Sequence, residues 1–215
     1  MGIVFGKIGV EMAAHDVVRV LTPTVQIRKY HPCVMAETPS GGLDSKDNSA
    51  AFNRLAKYIG VFGKANNEGK STIAMTAPVV STGGVSAGEK VAMTAPVVNV
   101  PGKMAFVLPS KYKSVDEAPK PLDPQITLRQ VGPRTAAVLT FSGRANDAIV
   151  ETRAAELAAV LAKEGVAPAH TDEGSSVPTY EVMRYNPPFT ITAFRTNEIF
   201  MEVSSAGDEQ SSAGG

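Results

Sequence analysis

Ala74-Met75-Thr76-Ala77-Pro78-Val79-Val80 and Ala92-Met93-Thr94-Ala95-Pro96-Val97-Val98 are two copies of one phrase, and the reading of the whole chain turns on them. Their spacing is too short for a solenoid or propeller period, so they read as partners in one local unit. Each copy is apolar and β-branched, and Gly83, Gly84 and Gly88 lie in the join, which predicts a hairpin. Alternation puts Met75, Ala77 and Val79 on one face, with Met93, Ala95 and Val97 in the same phase. Pro78 and Pro96 each remove a backbone donor and push the preceding alanine out of the helical region, so the two strands are expected at an edge or a bulge. Two readings stay open: methionine as filler where a barrel closes, or a surface on which a flat apolar ligand lies.

Working outward, residues 17–20 and 25–30 read as strands broken by Thr22-Pro23-Thr24, the second alternating cleanly. Capping side chains between Asp44 and Asn48 precede Phe52, Leu55, Ala56, Ile59 and Phe62, whose spacing predicts a helix ending between Gly60 and Gly63. Residues 104–108 supply another strand before the turn-forming Pro119, Pro121 and Pro124. The second half begins again with strands at 126–129 and 135–141. Asn146 or Asp147 then caps a helix with the stripe Val150, Ala154, Leu157 and Leu161, stopped by Gly165. Strands at 179–185 and 198–203 close the chain. Each half therefore runs strand, strand, helix, strand, strand. That order predicts an α+β fold: a twisted antiparallel β-barrel of two similar halves flanked by two α-helices.

The 215 residues, 43% of them hydrophobic, suit one domain, expected over 16–203 between an N-terminal extension at 1–15 and a Ser/Gly/acidic disordered tail at 204–215. Lys+Arg 21 balance Asp+Glu 21, which gives no reason to expect nucleic acid or an anionic surface as partner. No apolar run is long enough to span a bilayer. The N-terminal Met1-Gly2-Ile3-Val4-Phe5-Gly6 starts like a myristoylation signal but has Gly6 where Ser or Thr is needed. No secretory or transit signal is visible, so a cytoplasmic monomer is the expectation.

Chemistry-bearing motifs are few. His15, His31 and His170 form no zinc-type cluster, there is no Gly-x-Ser-x-Gly elbow or phosphate-cradling loop, and Cys33, in the order Pro32-Cys33, reads as a small buried residue. Glu198, beside Asn197, opens an apolar last strand and is expected to be exposed there. The segment Phe189-Thr190-Ile191-Thr192-Ala193-Phe194 is unusually apolar for a loop, and either caps a core or borders a ligand cleft.

Several stretches together carry a resemblance: Met1-Gly2-Ile3-Val4-Phe5-Gly6-Lys7-Ile8, Ile27-Arg28-Lys29-Tyr30, Lys57-Tyr58-Ile59-Gly60-Val61-Phe62-Gly63, both Met-Thr-Ala-Pro-Val copies, Tyr185-Asn186-Pro187-Pro188 and Arg195-Thr196-Asn197-Glu198. In these the chain resembles the SOUL haem-binding protein family, and within it the plant and algal cytosolic branch. The resemblance implies haem or another tetrapyrrole in a shallow apolar cleft between one helix and the loop before the last strand. Carried onto this sequence, it implies Phe52, Leu55 and Ala56 from the helix and Phe189, Ile191 and Phe194 from the loop. Met75 and Met93 come from the repeated phrase, and Lys57 and Arg195 face the propionates. Where an animal relative has an axial histidine this chain has Lys29, with His31 two positions on, so no strong protein ligand to the iron is expected. A basic residue of some relatives is replaced by Phe189 and Thr190. The implied function is a non-catalytic carrier or buffer. The alternatives are a small-molecule enzyme of the effector-binding-domain type using Glu198, and a protein-interaction module docking through the apolar loop.

Overall fold

The computed structural model of the chain describes residues 11–41, 43–70, 72–74, 76–77, 79–83, 102–171, 177–186 and 190–204. The second copy of the phrase with Met93, the tail from 205 and the first ten residues lie outside these, as do Met75, Phe189 and the Pro187-Pro188 pair. In chain order the elements are β1 (Glu11–Met12), β2 (His15–Thr22), β3 (Val25–Tyr30), β4 (Cys33–Pro39), α1 (Lys46–Ile59), β5 (Thr76–Ala77), β6 (Val79–Gly83), β7 (Lys103–Val107), β8 (Thr127–Val131), β9 (Arg134–Ser142), α2 (Asp147–Glu164), β10 (Tyr180–Arg184) and β11 (Thr196–Glu202).

Both helices start and stop where local chemistry dictates. Ser45 caps α1 by accepting from Asp47 N, and Gly60, at φ 87°, ends it in the left-handed conformation that a residue with a Cβ resists. Asn146 caps α2 by accepting from Ile149 N, and Gly165 terminates it. The predicted stripe of Val150, Ala154, Leu157 and Leu161 is buried as a set. Trimming Leu157 to Ala costs about 2–5 kcal/mol, because the cavity left behind cannot fully collapse. Phe62, by contrast, lies past the end of α1 and is 63% exposed, so it is not part of the first helix's buried stripe.

The large sheet has the order β2-β3-β9-β11-β10-β6-β7-β4-β8, and it is palindromic about the β10–β6 seam. On one side stand β3, β9, β11 and β10; on the other β8, β4, β7 and β6, in matching places. Each half thus lends its first strand to the other half, β3 pairing with β9 and β8 with β4. α1 packs on β4 and β7 as α2 packs on β9 and β11. The two similar halves expected from element order are real in the topology. Closure is not: β2 and β8 end the sheet among the described residues, so the expected barrel is a curled open sheet. It curls far enough for Tyr30 of β3 and Val131 of β8 to share one core cluster on the face away from the helices.

Three expectations about strands change. The residues 33–39 were not expected as a strand, yet β4 is central, with Val34 and Ala36 toward α1 and Met35 and Glu37 toward the concave face. A strand covered on both faces has no apolar–polar alternation to reveal it. The predicted hairpin, whose second strand lies outside the described residues, does not account for β6. Val79 to Ser81 are bonded on one side by β7 and on the other by β10. Nor is β6 an edge strand, since it is paired on both sides; Pro78 itself lies outside the described residues. Further out, β1 pairs parallel with β5 and straps the N-terminal segment to the sheet.

Candidate functional site

Alternation along the strands points one set of side chains away from both helices, and on that concave face the resemblance-bearing motifs from opposite ends of the chain meet. Arg28 Nη1 donates to Glu198 Oε1 at 2.9 Å and reaches Tyr30 Oη at 3.4 Å, while its Nε donates to Gln26 Oε1 at 2.9 Å. Thr140 Oγ1 donates to the same carboxylate oxygen at 3.1 Å, and Tyr185 Oη donates to Glu198 Oε2. Glu198 is therefore buried, 4% exposed, rather than exposed at the strand end as expected. A buried carboxylate needs compensation, and Arg28 supplies it. The sequence placed the two 170 residues apart, so no local pattern could pair them.

The same environment sets the ionisation of its neighbours. Burial opposes the charge on Arg28, yet Glu198 and Tyr30 opposite it hold the guanidinium above its ordinary pKa. Burial first, then the Glu198 charge, push the Tyr30 hydroxyl up to about 12, and the same two causes raise Tyr185. Two further carboxylates on this face are likewise matched. Glu181 accepts from Arg134 at 2.7 and 3.4 Å, with the Phe200 ring 4.5 Å beneath the guanidinium; Glu37 holds Arg129 at 2.5 Å and Lys103 at 3.5 Å.

At one end of the concave face lies a cavity of about 110 Å³, between the Glu11 to Ala14 strap and the β3–β4 and β8–β9 turns. Tyr30, His31, Cys33, Met35, Arg134 and Met183 are among its lining residues; Glu198 is not. Burial pushes the Cys33 thiol up, away from a reactive thiolate. A tetrapyrrole does not fit inside a space this size, since ligand cavities run to about 300–1,000 Å³. His31 Nε2 donates to Asp16 Oδ2, 2.8 Å away, and is exposed beside the cavity mouth.

The opposite end of the sheet carries the turn implied by the resemblance. Phe194 N bonds Ile191 O and Arg195 N bonds Thr192 O, making one tight turn from Thr192 to Phe194. Asn186 Oδ1 accepts from Thr196 N at 2.7 Å, and Asn197 Nδ2 donates to Gly143 O at 3.1 Å, so both asparagines of the motif brace the turn's exit. Arg195 Nε donates to Thr190 O at 3.0 Å, which fixes the guanidinium across the turn. Ile191 and Phe194 remain 44% and 49% exposed. The register runs from Tyr30 opposite Arg134 to Thr196 opposite Ser142, so the length of β9, roughly 25 Å at strand rise, separates His31 from this turn.

The helix residues divide. Leu55 and Ala56 are fully buried in the cluster beneath α1 and present no surface to a ligand, because they fall on the sheet-facing side of the helix. Phe52 is half-buried, edge-on to Phe106 at 5.5 Å, and Lys57 is exposed in the last turn. Arg184, the last residue of β10, reaches Asn48 Oδ1 at 3.4 Å and so ties the start of α1 to the strand that leads into the turn. No group of three or more His, Cys, Asp or Glu side chains able to hold a metal occurs among the described residues. Neither described helix is long and apolar enough to cross a membrane.

The family model described as SOUL heme-binding protein matches residues 10–202. Comparison with curated proteins gives no match. Among solved structures, an uncharacterized conserved protein from Listeria innocua aligns with a TM-score of 0.54 at 11% identity, covering 84% of this chain and 92% of that one. A hydrolase from Listeria innocua aligns with a TM-score of 0.50 at 9% identity, with the same coverage of 84% and 92%. At such identities the likeness is one of fold.

Proposed function

The chain belongs to the SOUL heme-binding protein family, and from that premise we propose that it holds haem or a related tetrapyrrole as a carrier or buffer rather than as a catalyst. The ring lies on an open apolar face, against Phe52 of α1 and against Ile191 and Phe194 of the braced turn, with Met75, Met93 and Phe189 as further contacts. Lys57 and Arg195 meet the propionates. The observation that carries this reading is the exposure of Ile191 and Phe194 on a turn fixed at both ends. Large apolar side chains held rigidly at the surface lose little entropy when a flat ligand covers them.

The residues suit the ring better than the iron. His31 stands at the far end of β9, so the metal would take its ligands from solvent or a small molecule, and affinity would come from buried ring area with modest help from the propionates. Bound haem would supply an exchangeable iron centre. Against a catalytic use of Glu198 stand its three hydrogen-bond donors and its place outside the cavity lining.

The test is an optical titration with haem and with iron-free protoporphyrin, on wild type and His31→Ala. Similar saturable binding of both ligands by both proteins is expected. Absence of binding to either ligand refutes the proposal. A preference for haem that disappears in His31→Ala would restore a protein–iron bond and move the site to the other end of the sheet.

A further inference from the structure

Beyond Ile59 the chain builds a convex knob. Val61 N bonds Ala56 O, Asn66 N returns to Lys57 O, and the buried Asn67 donates its side-chain amide to Tyr58 O. A second segment is stitched to it: Glu68 N bonds Lys120 O, Leu122 N bonds Asn66 O, and Asn67 bridges Pro121. Three large apolar side chains stand out from this unit, Val61 at 45%, Phe62 at 63% and Leu122 at 55% exposure. Val61 occupies the position after a left-handed helix cap where an apolar residue is common, but nothing local calls for Phe62 or Leu122.

Lysines share the segments that carry these three. Lys64, Lys70 and Lys120 are exposed on the same two segments, and Lys57 extends the rim from the last turn of α1. Among the described residues the one lysine in an ion pair is Lys103, on a different element, so none of these four ammonium groups is matched by a carboxylate of the described residues. Glu68 and Asp123 are the acids on these segments, which leaves the knob cationic.

From this we infer that the knob is a peripheral docking site for a bilayer containing anionic lipid. Phe62, Val61 and Leu122 enter the interface between headgroups and acyl chains, while the lysines meet lipid phosphates and carboxylates. An aromatic and two aliphatic side chains exposed on one hydrogen-bonded unit suit shallow insertion, and exposed lysines on the same segments suit a negative surface. A protein partner fits less well, because the buried centres of protein interfaces are depleted in lysine and need concave complementarity. The hydrogen bonds across the knob keep it formed without lipid, so docking requires no unfolding. Lys57 apart, which borders both, this site shares no residue with the tetrapyrrole face.

Sedimentation of the tetrapyrrole-free protein with vesicles tests it, using phosphatidylcholine alone and phosphatidylcholine mixed with phosphatidylserine. Wild type should bind the mixed vesicles and release at high salt. Phe62→Ser should weaken binding at least about tenfold, and Lys64→Glu or Lys120→Glu about fivefold or more each. Leu122→Ser repeats the apolar arm, and thermal melting of each variant establishes that it is folded. Failure of wild type to bind the mixed vesicles, or equal binding to phosphatidylcholine alone, overturns the inference. So does unchanged vesicle binding in both folded apolar variants, and heparin binding with the same lysine dependence in that case would mark a general polyanion surface.

Discussion

Phe194 and Glu198 belong to one short stretch of chain and live in opposite environments. Glu198 is 4% exposed, its oxygens taken by Arg28, Thr140 and Tyr185; Phe194 is 49% exposed on a turn that holds it in place. By residue type the carboxylate looks fit for the surface and the phenylalanine for the core. The structure reverses their burial. A charge on the concave face is tolerable only when it is paired and hydrogen-bonded, and Glu198 is both.

The largest way to break this contrast is to strip Glu198 of its cation. Arg28→Met should lower stability by about 3–5 kcal/mol in urea unfolding, since it leaves a buried carboxylate uncompensated. Arg28→Met with Glu198→Leu should recover part of that loss; no recovery would mean that the network acts through packing alone.

Next comes pH. Tyr30 has an ordinary pKa of 10.0 and is raised to about 12 in the folded chain. Below pH 10 the hydroxyl is neutral in both states and its contribution is intact. Between about 10 and 12 the unfolded chain ionises first, so stability falls by roughly 2 kcal/mol as pH rises. Alkaline unfolding followed by circular dichroism should be less steep in Tyr30→Phe, and an unaltered slope would assign the transition to other groups.

The turn should respond in affinity and barely in stability. Ile191→Ser with Phe194→Ser is expected to weaken haem and protoporphyrin binding at least about tenfold, while shifting stability by no more than about 0.5 kcal/mol, as exposed substitutions do. A large stability loss with unchanged affinity would reverse the roles given to the two regions. The smallest effect is that of Lys57→Ala, a two- to fivefold loss of affinity at low salt that fades as salt rises, which is about what an exposed ion pair contributes.

Both helices were legible in the sequence down to their caps, because Ser45, Asn146, Gly60 and Gly165 act on neighbours within a turn. The duplication was legible too, in the repeated order of elements. β4 was not, since a strand covered on both faces has no period-two pattern, and the repeated phrase gave no sign that β6 would lie between β7 and β10. Within the candidate site, Ile191 and Phe194 stood out as apolar residues in a loop. Leu55 and Ala56 came with Phe52 from the family resemblance, although helical rotation points them at the sheet.

What the sequence alone determined, then, was everything carried by near neighbours: helix limits, turn chemistry, the two-part order and, through its motifs, the family. The tertiary structure decided what depends on distant residues meeting. It buried Glu198 against Arg28, put His31 and the Phe194 turn at opposite ends of β9, and set Phe62 out on a lysine-rimmed knob. Burial and charge compensation are properties of a surrounding shell, and that shell is assembled from strands whose pairing no local pattern encodes.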